Sequence, residues 1–159
     1  MKILYASDLD RTLIYSYRFL DEHKSDAIRT LVETGYMADS VMDKLARISS
    51  DNNGDITFVP VTTRSIEQYE RIKLGFTPEW AITSNGGVIL HKEEQVKEYS
   101  DYVVKLINPI EVMQLIMDFG EFESVDYKPV FIDNRYIFLK TINEELFDLE
   151  VEHIRGNFT

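Results

Sequence analysis

The sequence predicts an α/β protein built on a parallel β-sheet, followed by a smaller α+β lobe. Three apolar runs, near residues 2–7, 56–61 and 80–83, each end in polar residues, and helical segments lie between them. Strands that alternate with helices are typical of parallel βαβ units with right-handed crossovers. From residue 108 onward the order changes to helix, strand, strand, helix, which indicates a second lobe.

The first half of the chain contains one hairpin and one helix after its first strand. The segment "TLVETGYMAD" (30–39) is typical of a small hairpin with Thr34 and Gly35 at its turn. "SVMDKLARIS" then predicts an amphipathic helix, with Ser40 placed to cap it. Its apolar stripe consists of Val41, Leu45 and Ile48. The stretch "SSDNNGD" interrupts the chain before the second strand.

The second strand, "ITFVPV", ends in hydroxyl residues, although its Pro60 argues against a fully paired central strand. Ser65 and Gln68 form a capping-box pattern that predicts the start of a helix through Tyr69 and Ile72. A third run, "EWAITSNGGVIL", predicts a strand that ends in the turn 85–87.

The second lobe is predicted from its own start and stop signals. Asn108 and Pro109 are typical of a helix start, and "PVFIDNRYIFLK" (129–140) predicts a hairpin around Asp133 and Asn134. A last helix should run from a cap at Asn143 to Gly156. We therefore expect a core over residues 1–90 and the start of a cap lobe over 91–159.

Composition limits the classes of partner. The chain has 159 residues, of which 44% are hydrophobic, enough for one core with a small lobe. Its net charge of −11 argues against nucleic acid as a partner. No apolar stretch has the length of a membrane span and no signal-peptide pattern is present, so we expect a cytoplasmic protein without a membrane partner. Without cysteine, disulfides, thiolate ligands and a cysteine nucleophile are excluded.

The polar ends of the three predicted strands should converge. The carboxyl ends of parallel strands share one sheet edge, where ligands bind in open α/β sheets. The residues at these ends are Asp8, Asp10 and Thr12, then Thr62, Thr63 and Arg64, then Ser84, Asn85 and Gly86. Each also has a structural interpretation: the acids and threonines could form polar turns, Arg64 could be a surface or helix-start residue, and Asn85 could simply tolerate a left-handed turn.

Taken together, these residues resemble motifs of the haloacid-dehalogenase-like (HAD) hydrolases. The D-x-D-x-T motif of that family matches residues 8–12, and Thr62-Thr63-Arg64 is similar to its T-G-R form, with Thr63 in place of glycine. The "SNGG" turn resembles the N-G turn of the Cof-type and sucrose-phosphate-phosphatase-like branch, which inserts an α/β cap at this point. The resemblance implies a Rossmannoid parallel core with a cap, and a Mg²⁺-dependent phosphatase.

The resemblance also implies roles for these residues. Asp8 would be the nucleophile that forms an aspartyl-phosphate, and Asp10 the general acid and base. Mg²⁺ would be held by the Asp8 carboxylate and the backbone carbonyl of Asp10. Phosphoryl oxygens would be bound by the Thr62 hydroxyl and by backbone N–H groups of Leu9 and Thr63. Arg64, Asn85 and Gly86 would be substrate or hinge contacts, and the substrate a small phosphorylated metabolite such as a phosphosugar.

Two alternatives remain open from the sequence. The lysine and the acidic G-D-x-x-x-D motif that follow the cap in this family do not occur within these 159 residues. The chain could therefore be an impaired fragment or pseudoenzyme that acts as an interaction module, and its first strand would be an edge available for self-association or a complementary chain. A two-metal exonuclease also begins with an apolar strand and an acid pair, but it needs further carboxylates on later elements.

Overall fold

The computed structural model of the chain describes residues 2–18, 28–32, 35–49 and 55–155, with only the backbone for 28–32. The chain divides into two compact units, Met1–Ser100 and Asp101–Thr159. The division follows Ser100, whereas the sequence analysis placed the lobe boundary after residue 90. The strands and helices described in the first unit are, in chain order, β1 (Ile3–Asp8), β2 (Tyr15–Ser16), β3 (Ile28–Val32), β4 (Gly35–Ala38), α1 (Asp39–Ser49), β5 (Ile56–Val61), α2 (Ile66–Glu70), β6 (Trp80–Thr83), β7 (Val88–His91), β8 (Glu94–Gln95) and the start of α3 (Lys97–Lys105).

A five-stranded mixed sheet forms the centre of the first unit, in the order β1-β5-β6-β7-β8. The three predicted strands are confirmed: β1 is parallel to β5, and β5 is parallel to β6. β7 and β8, which the sequence analysis did not predict, continue the sheet antiparallel to β6. In the β1–β5 register Asp8 pairs with Val61, so the first two polar strand ends lie side by side.

The prediction that Pro60 argues against a fully paired central strand agrees with the structure, in which β5 pairs along its length with β1 but with β6 only at Val61. Pro60 lies inside β5, opposite Ser7 of β1, and its side chain is buried. Proline lacks an N–H and therefore cannot donate to a sheet ladder. The cost is limited here because β5 pairs with β6 only at Val61, beyond the proline.

The main apolar core lies around α1 and β5 and includes the loop that follows β1. Leu9, Leu13 and Ile14 are buried in the same cluster as Phe58 of β5. The cluster also contains Met37, Met42, Leu45 and Leu74. Because both ends of the segment 9–14 are anchored in this core, the polar residues 10–12 between them are held at the sheet edge.

The hairpin and first helix follow the sequence closely, with one correction. β3 and β4 pair antiparallel, which confirms the hairpin, although Thr34 lies outside the described residues. Ser40 is not the cap of α1, because the helix begins one residue earlier, at Asp39. Aspartate also favours a helix start, so both residues were compatible with the pattern. The predicted break at 50–54 lies outside the described residues.

The capping box of α2 is confirmed. The Gln68 N–H donates to Ser65 Oγ, and the Ser65 N–H donates to Gln68 Oε1, each at 3.2 Å. The helix ends at Glu70, earlier than the predicted extension through Ile72. Its N-cap, Ser65, directly follows Arg64, so the cap fixes the backbone that leaves the second strand end.

The second unit contains α4 (Pro109–Gly120), β9 (Val130–Ile132), β10 (Tyr136–Phe138) and α5 (Glu144–Arg155), the predicted α, β, β, α order. α3 was not predicted. The caps of α4 and α5 are confirmed: Asn108 accepts from the Ile110 N–H and Asn143 from the Leu146 N–H, each at 3.1 Å. Gly156 lies outside the described residues. Within the described residues no helix combines the length and apolar character of a membrane span.

A carboxylate links α5 to the segment before β9. Glu150 accepts hydrogen bonds from the N–H groups of Glu123 and Ser124 and from the Ser124 hydroxyl. Burial alone would raise the pKa of Glu150, but these three donors outweigh it, and the pKa is lowered. The carboxylate therefore stabilises this unit in its ionised form.

Candidate active site

Asp8 is the last residue of β1, and its carboxylate is held by a residue of the same motif. The Thr12 hydroxyl donates to Asp8 Oδ2 at 3.0 Å. Asp8 is exposed, so its carboxylate can be reached from solvent. Thr12 fixes the orientation of this carboxylate, a role that the sequence analysis did not assign.

The turn that carries Asp10 is built on one carbonyl. Leu9 O accepts from the N–H groups of Thr12, Leu13 and Ile14, at 3.3, 2.9 and 2.7 Å. Arg11 adopts a left-handed conformation with φ of 62°, which is uncommon for a residue other than glycine. The Leu9 side chain is fully buried, so only the backbone of this predicted phosphate-binding residue can face a ligand.

Thr62 lies directly after β5 and is almost fully buried, with 3% of its surface exposed. Its N–H donates to Ile82 O of β6 at 2.9 Å, and its hydroxyl accepts from the Arg64 N–H at 3.2 Å. Since the hydroxyl oxygen is engaged as an acceptor, its proton is left to donate elsewhere. Thr63, the other predicted threonine, is exposed.

Arg64 and Asp10 form a bidentate ion pair. Arg64 Nε donates to Asp10 Oδ2 at 2.8 Å, and Nη2 donates to Asp10 Oδ1 at 2.6 Å. The hydrogen bond with Asp10 raises the pKa of Arg64, partial burial opposes that rise, and the charge of Asp10 adds to it. The interpretation of Arg64 as a surface or helix-start residue is therefore incomplete, because its side chain connects two of the strand ends.

The third strand end is joined to the second through the backbone. The Ser84 N–H donates to Arg64 O at 2.7 Å, and Ser84 is buried. Asn85 and Gly86 have φ of 55° and 85°, so both lie in the left-handed region that the "SNGG" turn suggests. The Tyr99 hydroxyl donates to Gly86 O at 2.7 Å and fixes this turn. Asn85 is exposed and could contact a ligand.

The oxygen donors at the first strand end are of the type that Mg²⁺ prefers. Both carboxylate oxygens of Asp10 are engaged by Arg64, which leaves the Asp8 carboxylate and the Asp10 backbone carbonyl as hard donors. Across the described ranges no group of three or more His, Asp or Glu side chains is placed to hold a metal. Mg²⁺ is commonly bound by one or two carboxylates together with phosphate and water, so these donors fit a partial site of that kind.

A cavity of about 390 Å³ lies elsewhere in the first unit and contains none of the predicted site residues. Its lining includes Tyr69, Leu74, Phe76, Ala81, Leu90 and Glu93. Burial, and secondly the negative charge of Glu93, raises the pKa of Tyr69 to about 12. The chemistry of the strand ends favours the open edge beside Asp8 over this cavity as the candidate site.

Two solved structures share the architecture. One is the sucrose-phosphatase from Synechocystis sp. PCC6803 in complex with sucrose and phosphate, with a TM-score of 0.60 and 18% sequence identity over 99% of this chain and 57% of that one. The other is yhjK, a haloacid dehalogenase-like hydrolase protein from Bacillus subtilis, with a TM-score of 0.50 and 13% identity over 96% of this chain and 53% of that one. No protein-family model matches the sequence, and neither does any curated protein.

These similarities show the fold. The chain shares the haloacid-dehalogenase-like α/β fold of these two structures, which confirms the predicted fold class. It spans little more than half the length of the two structures that it matches.

Proposed function

We propose that the chain carries the nucleophile and phosphate-binding residues of a Mg²⁺-dependent phosphate monoester hydrolase that acts through an aspartyl-phosphate on Asp8. The observation that carries this proposal is the Asp8 carboxylate, which is exposed at the end of β1 and oriented by Thr12. Asp8 lies beside Val61, the last residue of β5, which Thr62 directly follows. The fold is also that of structures named as a phosphatase and a hydrolase.

The reaction divides into two displacements. In the first, a carboxylate oxygen of Asp8 attacks phosphorus, the bond to the leaving oxygen breaks, and that oxygen takes a proton from Asp10. In the second, water attacks the phosphorus of the aspartyl-phosphate, Asp10 takes a proton from this water, and the bond to Asp8 breaks. Inorganic phosphate leaves and the Asp8 carboxylate is restored.

The ion pair with Arg64 suits Asp10 to the second displacement. The two guanidinium hydrogen bonds hold both oxygens of the Asp10 carboxylate as acceptors in a fixed direction, and a base must accept a proton in the same way. To act as an acid, Asp10 must carry a proton and one of these bonds must open. We therefore expect the acid role to matter most for leaving groups that cannot depart without a proton.

The phosphoryl group would be held by the second strand end. The Thr62 hydroxyl, already oriented by the Arg64 N–H, would donate to one phosphoryl oxygen, and the backbone N–H groups of Leu9 and Thr63 to the others. The Asp8 carboxylate and the Asp10 carbonyl would hold Mg²⁺. When bound, the ion neutralises charge between the carboxylate and a phosphate dianion.

We further propose a small phosphorylated metabolite such as a phosphosugar as the substrate. The support is the structural likeness to a sucrose-phosphatase solved with sucrose and phosphate. A net charge of −11 disfavours polyanionic substrates such as nucleic acid.

The test is hydrolysis of p-nitrophenyl phosphate by the purified chain with Mg²⁺ or with a chelator, beside Asp8→Asn and with single-stranded DNA as a control substrate. We expect turnover that needs Mg²⁺ and is abolished in Asp8→Asn, because an amide cannot form the acyl-phosphate. Wild-type turnover in Asp8→Asn would remove Asp8 as the nucleophile. Phosphate binding without turnover would instead favour the interaction module, and DNA cleavage the exonuclease.

A further inference from the structure

Arg64 contacts all three strand ends that form the candidate site. Its guanidinium donates to both carboxylate oxygens of Asp10, after β1. Its backbone N–H donates to Thr62 Oγ1, after β5, and its carbonyl accepts from the Ser84 N–H, after β6. The backbone of Arg64 is thus fixed on both sides of the residue whose side chain reaches Asp10.

We propose that Arg64 is a positioning residue that holds the Asp10 carboxylate in one orientation and cancels its charge, so that an incoming phosphate meets the uncompensated charge of Asp8 alone. This inference rests on the proposed function, and it adds a role for a residue that the phosphatase assignment does not require.

The geometry of the pair supports fixed positioning. Two parallel N–H···O bonds restrict the carboxylate in both direction and tilt, which a single contact from a lysine would not do. The side chains of Arg64 and Asp10 keep 24% and 43% of their exposure, so the pair is partly shielded from water. Exposed ion pairs contribute little to stability, partly because two long side chains lose conformational entropy when they pair. Here the backbone of Arg64 is already fixed, so less entropy is lost when its guanidinium binds Asp10.

The net charge of the three side chains distinguishes this role of Arg64 from a purely structural one. Asp8, Asp10 and Arg64 together carry one net negative charge. Removing Arg64 alone leaves two negative charges beside the phosphate site, whereas removing Arg64 and Asp10 together restores one. A phosphate dianion should therefore bind more weakly to the single variant and recover its affinity in the double variant.

The experiment measures the affinity for inorganic phosphate by isothermal titration calorimetry at one fixed ionic strength. The variants are Arg64→Met, Asp10→Asn, Arg64→Met/Asp10→Asn and Arg64→Lys. Arg71→Met, which removes the same charge from an exposed residue, is the matched control. We expect about a tenfold loss in Arg64→Met, with the double variant and Arg64→Lys within about threefold of wild type and the control within about twofold.

Equal losses in Arg64→Met and Arg71→Met, or a double variant as weak as Arg64→Met, would overturn the inference while leaving the phosphate site intact. If wild type itself binds no phosphate, the proposed function fails instead. In that case urea unfolding of the same variants tests whether the Arg64–Asp10 ion pair contributes to the free energy of unfolding. Strictly additive losses of stability in Arg64→Met and Asp10→Asn would refute the pair, and a smaller loss in the double variant than the sum would support it.

Discussion

Replacing Thr62 with valine should impair the second strand end in two measurable ways. Valine keeps the shape of threonine but removes the hydroxyl, which is buried and accepts from the Arg64 N–H at 3.2 Å. The backbone amide of Arg64 then loses this partner, and a phosphoryl oxygen loses its proposed donor. Stability and anion affinity should both fall, for separate reasons.

These contacts set the size of the expected losses in stability and in phosphate affinity. A partly buried N–H that loses its acceptor costs about 1–2 kcal/mol, and the extra methyl group of valine recovers only part of this. We therefore expect a loss of about 1 kcal/mol in the free energy of unfolding. A hydrogen bond to a charged phosphate contributes about 1.5–3 kcal/mol, so phosphate affinity should fall roughly 10- to 100-fold.

Urea denaturation followed by circular dichroism measures the first effect, and calorimetric titration with inorganic phosphate measures the second. Thr57→Val, on the same strand but remote from its carboxyl end, is the matched control and should leave phosphate affinity unchanged. Thr62→Ser should keep most of the affinity, because it retains the hydroxyl. Unchanged phosphate affinity in Thr62→Val would refute the assigned role of the hydroxyl, whatever happens to stability.

Four other properties can be checked directly. Asp10→Asn should slow the hydrolysis of alkyl phosphates about 10²-fold, and more than that of aryl phosphates, because only the poorer leaving group needs a proton; equal losses in kcat would contradict the acid role. Glu150→Gln should lower the melting temperature at neutral pH relative to Glu152→Gln, and the difference should fade on acidification: the folded pKa is lowered, so its stabilisation is present above the ordinary pKa and lost as the pH falls through the folded value. For Tyr69 the sign is opposite: with a folded pKa of about 12 against an ordinary value of 10, its stabilisation is lost as the pH rises from about 10 to 12, and near-ultraviolet titration of Tyr69→Phe should lack one phenol that ionises near pH 12 in wild type. We also propose that β1, one of the two edge strands of the described sheet, pairs with β1 of a second copy. Leu4 is 70% exposed on this strand, so light scattering should show a dimer for wild type and a monomer for Leu4→Lys, and an unchanged monomer for wild type would contradict the pairing.

The order of the elements could be predicted because each carries a local signal. The run that ends at Asp8 is short and apolar, as a strand in a parallel sheet is expected to be. Ser65 with Gln68, and Asn108 with Pro109, are capping patterns whose hydrogen bonds form within three residues of sequence. Such signals depend only on neighbouring residues, so they remain valid before the tertiary structure is known.

Elements without a local signal were not predicted. β8 has only two residues, Glu94 and Gln95, and is defined by pairing with β7 rather than by apolar periodicity. The turn between β7 and β8 places Lys92 and Glu93 at φ of 51° and 68°, where asparagine and glycine are the usual residues. β8 therefore had no turn signal by which it could be recognised, whereas β7 follows the "SNGG" turn, a hairpin signal that the sequence analysis interpreted only as the end of a strand.

The contacts of Arg64 show why a site is harder to predict than the strands that bear it. The register of β1 and β5 follows from backbone pairing, and it brings Asp8 beside Val61. The Arg64 side chain lies instead between two local structures: its backbone is held by Thr62 and is followed by the cap of α2, and its partner Asp10 lies in the turn after β1. These two local structures are 54 residues apart in sequence, so neither indicates the other. Under the proposed function their meeting would determine the charge that a phosphate encounters, because it pairs Asp10 with Arg64 and leaves Asp8 with a hydrogen bond from Thr12. In this fold the sheet fixes which residues lie at the proposed site, and contacts between loops determine which of their charges are paired.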